Sequence, residues 1–126
     1  MRDLIIKETD NSPEITLSAT LIEFCGNSYP ENTFTFYEPV LEWLQTNLPK
    51  LNNHITINFK MEYFNSATTQ ILFDILDIIC EHKQEKMTIN WYYKEDNENG
   101  LEDYEDYADE FPNLNIQAIA LEKVMP

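Results

Sequence analysis

Three aliphatic hydroxyls, those of Ser66, Thr68 and Thr69, crowd one short run, Tyr63-Phe64-Asn65-Ser66-Ala67-Thr68-Thr69, where an alternating stretch gives way to a helical one. A serine or threonine at a helix start has two uses. Its oxygen caps a free helix N–H, a contribution of about 1 kcal/mol, and either Asn65 or Ser66 fits that position. Alternatively, the hydroxyl accepts a phosphoryl group. That adds roughly −1.5 to −2 charges beside the positive end of the helix, which favours them by about 0.3–1 kcal/mol. The fold survives such a change while the surface alters sharply. Ser66 is the expected acceptor, with Thr68 and Thr69 as alternates. A second chemical cluster is Ser28-Tyr29-Pro30-Glu31-Asn32, which puts a phenol, a rigid proline, a carboxylate and an amide in one loop. Its plain role is a turn with Asn32 capping the next helix. Its functional role is contact with a partner, shared with Asn65 and Ser66.

Other groupings lead to less. Glu95, Asn97, Asn99, Gly100 and Asp106 fall at positions one, three, five, six and twelve of an EF-hand loop. Glutamate stands first, aspartate last, Glu102 occupies an apolar position, and a strand rather than a helix precedes it. A solvated acidic helix is expected there. His54 and His82 lack ligand-like neighbours, so no metal site is expected. Asp74 and Asp77 share part of one helix face as ordinary solvated carboxylates. With only Gly26 and Gly100 in the chain, neither a Walker A loop nor a dinucleotide fingerprint can be written. No nucleophile–base constellation forms locally. The chain is expected to be no enzyme and to carry no cofactor.

The elements that must position Ser66 follow from periodicity. Ile15, Leu17 and Ala19, then Leu21 to Cys25, alternate as a hairpin of two strands ending at Gly26. Tyr37, Val40, Leu41, Leu44 and Leu48 recur at helical spacing, with Trp43 alongside. Pro39 sets that helix to start near Thr35 or to bend, and Pro49 ends it. His54 to Phe64 alternates strongly, with Ile55, Ile57, Phe59 and Met61 on one face. Ile71, Leu72, Ile75, Ile78 and Ile79 stripe the helix that Asn65-Ser66 opens. Met87 to Tyr93 is a further strand, Glu95 to Glu110 an acidic helix, and Ile116 to Leu121 a closing strand. Strands separated by helices of this length imply right-handed crossovers and a mainly parallel sheet. The junction at Ser66 then falls on the carboxyl edge of that sheet, where open α/β sheets place their ligands.

Composition agrees. The 126 residues fit one domain, and apolar residues at 43% supply an ordinary core. Eight basic residues against 23 acidic ones give a net charge of −15. Such a field repels nucleic acid and anionic lipid and steers basic protein surfaces inward. No apolar run reaches spanning length and no basic-then-apolar leader opens the chain, so a cytoplasmic protein without membrane insertion is expected. Cys25 and Cys80, lying within apolar patterns, are expected as reduced, buried thiols.

Ser28-Tyr29-Pro30-Glu31-Asn32, the aromatic-rich helix with Trp43, and Tyr63-Phe64-Asn65-Ser66 leading into Leu72-Phe73-Asp74-Ile75-Leu76-Asp77 together resemble the SiaC family of bacterial regulatory phosphoproteins. The resemblance spans nearly the whole chain. It implies one domain over residues 1–126 with a STAS-like α/β fold: a mixed, mainly parallel sheet of four to five strands with an N-terminal hairpin, flanked by about three helices. It further implies a switch protein. A histidine-kinase-like Ser/Thr kinase modifies it, a PP2C-type phosphatase reverses this, and the unmodified form binds and activates a diguanylate cyclase. By position the acceptor is Ser66, with Thr68 and Thr69 close enough to keep the choice open. A STAS-type anti-sigma-factor antagonist shares the same features and is the competing reading.

Overall fold

The computed structural model describes residues 2–82 and 86–121. Six strands form one sheet in sequence order: β1 (Leu4–Ile6), β2 (Glu14–Leu17), β3 (Leu21–Ser28), β4 (Ile55–Phe64), β5 (Met87–Lys94) and β6 (Gln117–Leu121). The first three pair antiparallel and β3 to β6 pair parallel. Three helices make the crossovers: α1 (Thr33–Asn47), α2 (Ser66–Glu81) and α3 (Glu98–Glu110). The mainly parallel α/β expectation holds, with one more strand than foreseen. The additional strand is β1, which follows no alternation and is held by its register with β2, Leu4 opposite Leu17.

Because the parallel strands advance one place at each crossover, crossovers of one hand leave every helix on the same face. The packing bears this out. Inward positions Ile22 and Phe24 on β3, Ile55, Ile57 and Phe59 on β4, and Ile89 and Trp91 on β5 are buried together with Leu44, Leu72, Ile75, Ile79 and Tyr107 from the three helices. Phe24 stacks on Phe59 at 5.3 Å and Phe59 meets Trp91 at 5.6 Å, so one aromatic row crosses three strands. Among the described residues the other face carries no helix. A polar row crosses it in register, in which Asn90 donates to Asn58 and Asn58 donates to Glu23, each at 2.9 Å. Those bonds satisfy two buried amides that would otherwise be costly. Cys25 faces the same side because it alternates with the core positions of β3. It and Cys80 are half-buried free thiols rather than the buried ones expected. Burial and the nearby Glu23 and Glu8 carboxylates push the Cys25 thiol up.

α1 begins at Thr33, two residues before the expected start, and holds Pro39 inside it. Pro39 is exposed, so its ring meets solvent and only one helix hydrogen bond is forgone. Asn32 occupies the N-cap position but makes no side-chain capping bond. The first turn closes instead through the Phe36 N–H to the Asn32 carbonyl, at 3.0 Å. Among the described residues no helix is long and apolar enough to cross a membrane.

Candidate functional site

Both β3 and β4 end at the same edge of the sheet, and α1 and α2 begin there. The capping question resolves at Asn65. Its extended backbone (φ −85, ψ 177) places the side-chain oxygen to accept from the Thr68 N–H at 2.9 Å. Ser66 is thereby released from capping and takes the first helical position. It is exposed, and among the described residues its hydroxyl has no hydrogen-bond partner.

The neighbouring hydroxyls have different fates. Thr68 is fully buried, donating to the Ser28 carbonyl at 3.1 Å and sharing a 2.8 Å bond with the Ser28 hydroxyl. A kinase reaches it only if the first turn of α2 opens. Thr69 is half-buried and donates to the Asn65 carbonyl at 3.3 Å.

The loop expected to meet a partner is divided in the same way. β3 does not stop at Gly26; its alternation continues through Gly26 to Ser28, so Ser28 points inward and is fully buried. Ser28 is thus corrected from a surface contact to an internal strut. Its hydroxyl meets the Tyr37 hydroxyl at 2.7 Å and Thr68 at 2.8 Å, and its carbonyl accepts from the Asn65 N–H at 3.1 Å. Burial pushes the Tyr37 phenol up to about 12, partly offset by the Ser28 bond, so Tyr37 keeps its proton and donates it. The hydroxyls then form one directed chain, Tyr37 to Ser28 to Thr68 to the Ser28 carbonyl. The other loop members lie outside. Tyr29, Glu31 and Asn32 are exposed, while Pro30 and Asn65 are half-buried.

Sequence reasoning did not anticipate two supports. Tyr29 is anchored from the β1–β2 connection, donating its N–H to the Asn11 carbonyl at 2.8 Å and its hydroxyl to the Asp10 carbonyl at 2.9 Å. Its ring packs edge-on against Tyr63 at 5.7 Å, leaving Tyr29 42% and Tyr63 58% exposed. Phe34, 60% exposed in the first turn of α1, adds a third aromatic at this edge. Tyr63 continues the phase of Ile55, Ile57, Phe59 and Met61, so alternation alone would turn it inward; it is exposed where the register with β3 shifts, Gly26 facing Met61 but Ser28 facing Phe64. Beside α2 a cleft of about 200 Å3 is lined by Glu62, Tyr63, Phe64, Thr69, Asn99 and Asp103. Burial, then Asp106 and Glu102, raise the Asp103 carboxyl.

The acidic segment does not form a cation loop. Asn97 caps α3 by accepting from the Gly100 N–H at 3.3 Å, and Asn99, Gly100 and Asp106 lie within the helix. Among the described residues no group of three or more acidic, His or Cys side chains is arranged to hold a metal.

Three parallel crossovers and, among the described residues, a free hydroxyl at a helix mouth define an α/β protein whose candidate chemistry lies on its surface. The model of the SiaC family regulatory phosphoproteins matches residues 6–121, and the chain belongs to that family. It is 29% identical over 124 residues to an uncharacterized protein of Pseudomonas aeruginosa (strain UCBPP-PA14), covering 94% of this chain and 98% of that one. The crystal structure of apo-SiaC from Pseudomonas aeruginosa is similar at a TM-score of 0.79 and 25% identity, over 95% of this chain and 98% of the other. A chain in the crystal structure of diguanylate cyclase SiaD in complex with its activator SiaC, from the same organism, matches at a TM-score of 0.82 and 23% identity, over 96% and 100%.

Proposed function

We propose that this chain is a phosphorylation-switched binding protein whose unmodified form docks on and activates a diguanylate cyclase. A histidine-kinase-like Ser/Thr kinase would phosphorylate it and a PP2C-type phosphatase would reset it. Ser66 is the acceptor. The observation that carries this reading is its exposed, unpartnered hydroxyl at the first position of α2, with the cap already supplied by Asn65. The relative crystallised with its cyclase and the family of regulatory phosphoproteins lend support.

In the forward step the Ser66 oxygen bonds to the γ-phosphorus of ATP, ADP leaves, and the hydroxyl proton passes to a base on the kinase. In the reverse step water takes the place of the serine oxygen and inorganic phosphate departs. The docking edge comprises Ser66 and Asn65 with Tyr29, Pro30, Glu31 and Asn32. Its aromatic rim of Tyr29 and Tyr63 provides the apolar contact that interface centres favour. A dianion there must be desolvated when the partner closes, at a cost of several kcal/mol. About 3 kcal/mol changes affinity by roughly two orders of magnitude, sufficient for a switch. The test is the affinity of the diguanylate cyclase from the source cells for wild type, Ser66→Ala and Ser66→Asp. Wild type and Ser66→Ala should bind alike and Ser66→Asp much more weakly; equal affinities for all three would end the proposal.

A further inference from the structure

From the docking edge a stripe of side chains runs down the outer face of α2. Ser66, Gln70, Phe73 and Asp77 succeed one another at spacings of four, three and four, which is one side of an α-helix. Ser66, Gln70 and Asp77 are exposed and Phe73 is half-buried, whereas Thr68, Ile71, Leu72, Ile75 and Ile79 on the other side are buried. At 1.5 Å per residue the stripe is about 16 Å long.

α3 lies beside this stripe without closing over it. The two helices meet through the Phe73 ring, 4.8 Å from the Tyr107 ring and 6.2 Å from that of Phe111. Along that contact runs an open groove of about 340 Å3, lined by Gln70, Phe73, Asp77, Glu110 and Phe111. Its floor is aromatic and each bank carries a carboxylate. Among the described residues neither Asp77 nor Glu110 makes an ion pair, and neither α2 nor α3 contains a lysine or arginine. Glu110 ends α3, and Asp77 lies one turn before the end of α2. The negative ends of both helix dipoles therefore add to the two carboxylates. Apolar below and anionic at the sides, the groove has the complement of one kind of ligand surface.

We infer that the groove between α2 and α3 receives an amphipathic helix of the protein partner, with apolar side chains on Phe73 and Phe111 and Lys or Arg against Asp77 and Glu110. The inference rests on the docking reading of the Ser66 edge. A helix fits because its backbone is already hydrogen-bonded, and the groove, lined by side chains of α2 and the end of α3, offers side chains rather than a free strand. The stripe also separates two functions. Asp77 lies about 16 Å from Ser66, and charges are screened over about 8 Å at physiological salt. The phosphate therefore acts locally on what packs over the helix mouth, while the groove supplies a charge-dependent grip that modification leaves in place.

The test titrates the full-length protein, by NMR of its backbone amides, with a synthetic Leu/Lys amphipathic helix of about four turns and with its Leu/Glu counterpart. The Lys peptide should shift amides at Gln70, Phe73, Asp77, Glu110 and Phe111 and displace the bound cyclase, and the Glu peptide should do neither. Reversing both banks (Asp77→Lys with Glu110→Lys) should weaken the Lys peptide by about tenfold or more, with Asp77→Asn plus Glu110→Gln intermediate. Ser66→Asp should leave that peptide's affinity within about twofold, given the screening length. Shifts centred elsewhere on the acidic surface, indifference to the charge reversals, or failure to displace the cyclase would overturn the inference. Failure of the docking reading registers separately, as cyclase affinity that ignores the state of Ser66.

Discussion

Replacing Thr68 by valine and Ser66 by alanine removes two hydroxyls that are two residues apart and have opposite surroundings. Valine preserves the shape of Thr68 while deleting its bond to the Ser28 carbonyl at 3.1 Å and its shared bond with the Ser28 hydroxyl at 2.8 Å. The Ser28 carbonyl keeps the Asn65 N–H, but one hydroxyl proton in the Tyr37–Ser28 pair loses its acceptor inside the core. Two net hydrogen bonds at about 1 kcal/mol each, one leaving a buried donor, give a loss of about 2–3 kcal/mol. Ser66→Ala deletes no hydrogen bond and should stay within about 0.5 kcal/mol of wild type. With a urea slope of about 1.5 kcal/mol/M, Thr68→Val should lower the unfolding midpoint by more than about 1 M, with Ser66→Ala nearly superimposed on wild type. A Ser28→Ala/Thr68→Val double-mutant cycle should return a coupling of about 1 kcal/mol. Equal midpoints for the two single variants would refute the assignment of one hydroxyl to the interior and the other to the surface.

Gly26 adopts φ +117, and a Cβ there would run into the Glu8 carboxylate. Gly26→Ala should cost about 1–3 kcal/mol in urea unfolding, and Glu8→Ala should not restore it, because the side chain can move aside while the left-handed backbone cannot. The Tyr37 phenol should make the protein sensitive to alkali. Its folded value of about 12 exceeds the ordinary value of 10, so between those limits the native state holds a proton that the unfolded state has lost. Stability is full below pH 10 and falls by up to about 1.4 kcal/mol per pH unit toward 12. Tyr37→Phe should flatten that decline in a pH series of unfolding midpoints. Tyr107, also raised by burial, leaves a residual slope in the same direction.

What was legible in the sequence was whatever local periodicity encodes. β4 alternates because one of its faces meets the helices, and α2 carries a broad apolar stripe, so the strand-to-helix junction at Asn65 could be placed from residues alone. Ser28 was misplaced because Gly26 reads as a stop. Gly26 instead permits a positive φ where the register with β4 shifts, while the alternation of buried positions continues and delivers Ser28 to the interior. β1 escaped because three residues held by pairing to β2 leave no local signature. The α1 boundary was shifted by Pro39, whose missing N–H is tolerable where the ring faces solvent. The contacts of Tyr29 with Asp10 and Asn11 were invisible for a different reason. They join segments far apart in sequence, with nothing in either to announce the other.

The arrangement at the edge also accounts for the crowding of polar side chains around one helix start. A lone serine at the N-cap would have to give up its capping bond to accept a phosphate, and the modification would then compete with the fold. Here the duties are divided. Asn65 holds the cap, Thr68 ties the first turn of α2 to the end of β3, and Thr69 reinforces the Asn65 carbonyl. Of the Ser66, Thr68 and Thr69 hydroxyls, that of Ser66 alone has no bond among the described residues. The loop that bears Tyr29, Glu31 and Asn32 hangs from the same Ser28 that Thr68 grips, so the loop and the helix mouth form one rigid frame. A rigid frame around one free hydroxyl lets a charge added there act on the partner's fit rather than be absorbed by local rearrangement. If loosening the frame by Ser28→Ala left the effect of Ser66→Asp on cyclase binding undiminished, rigidity would have no part in the switch.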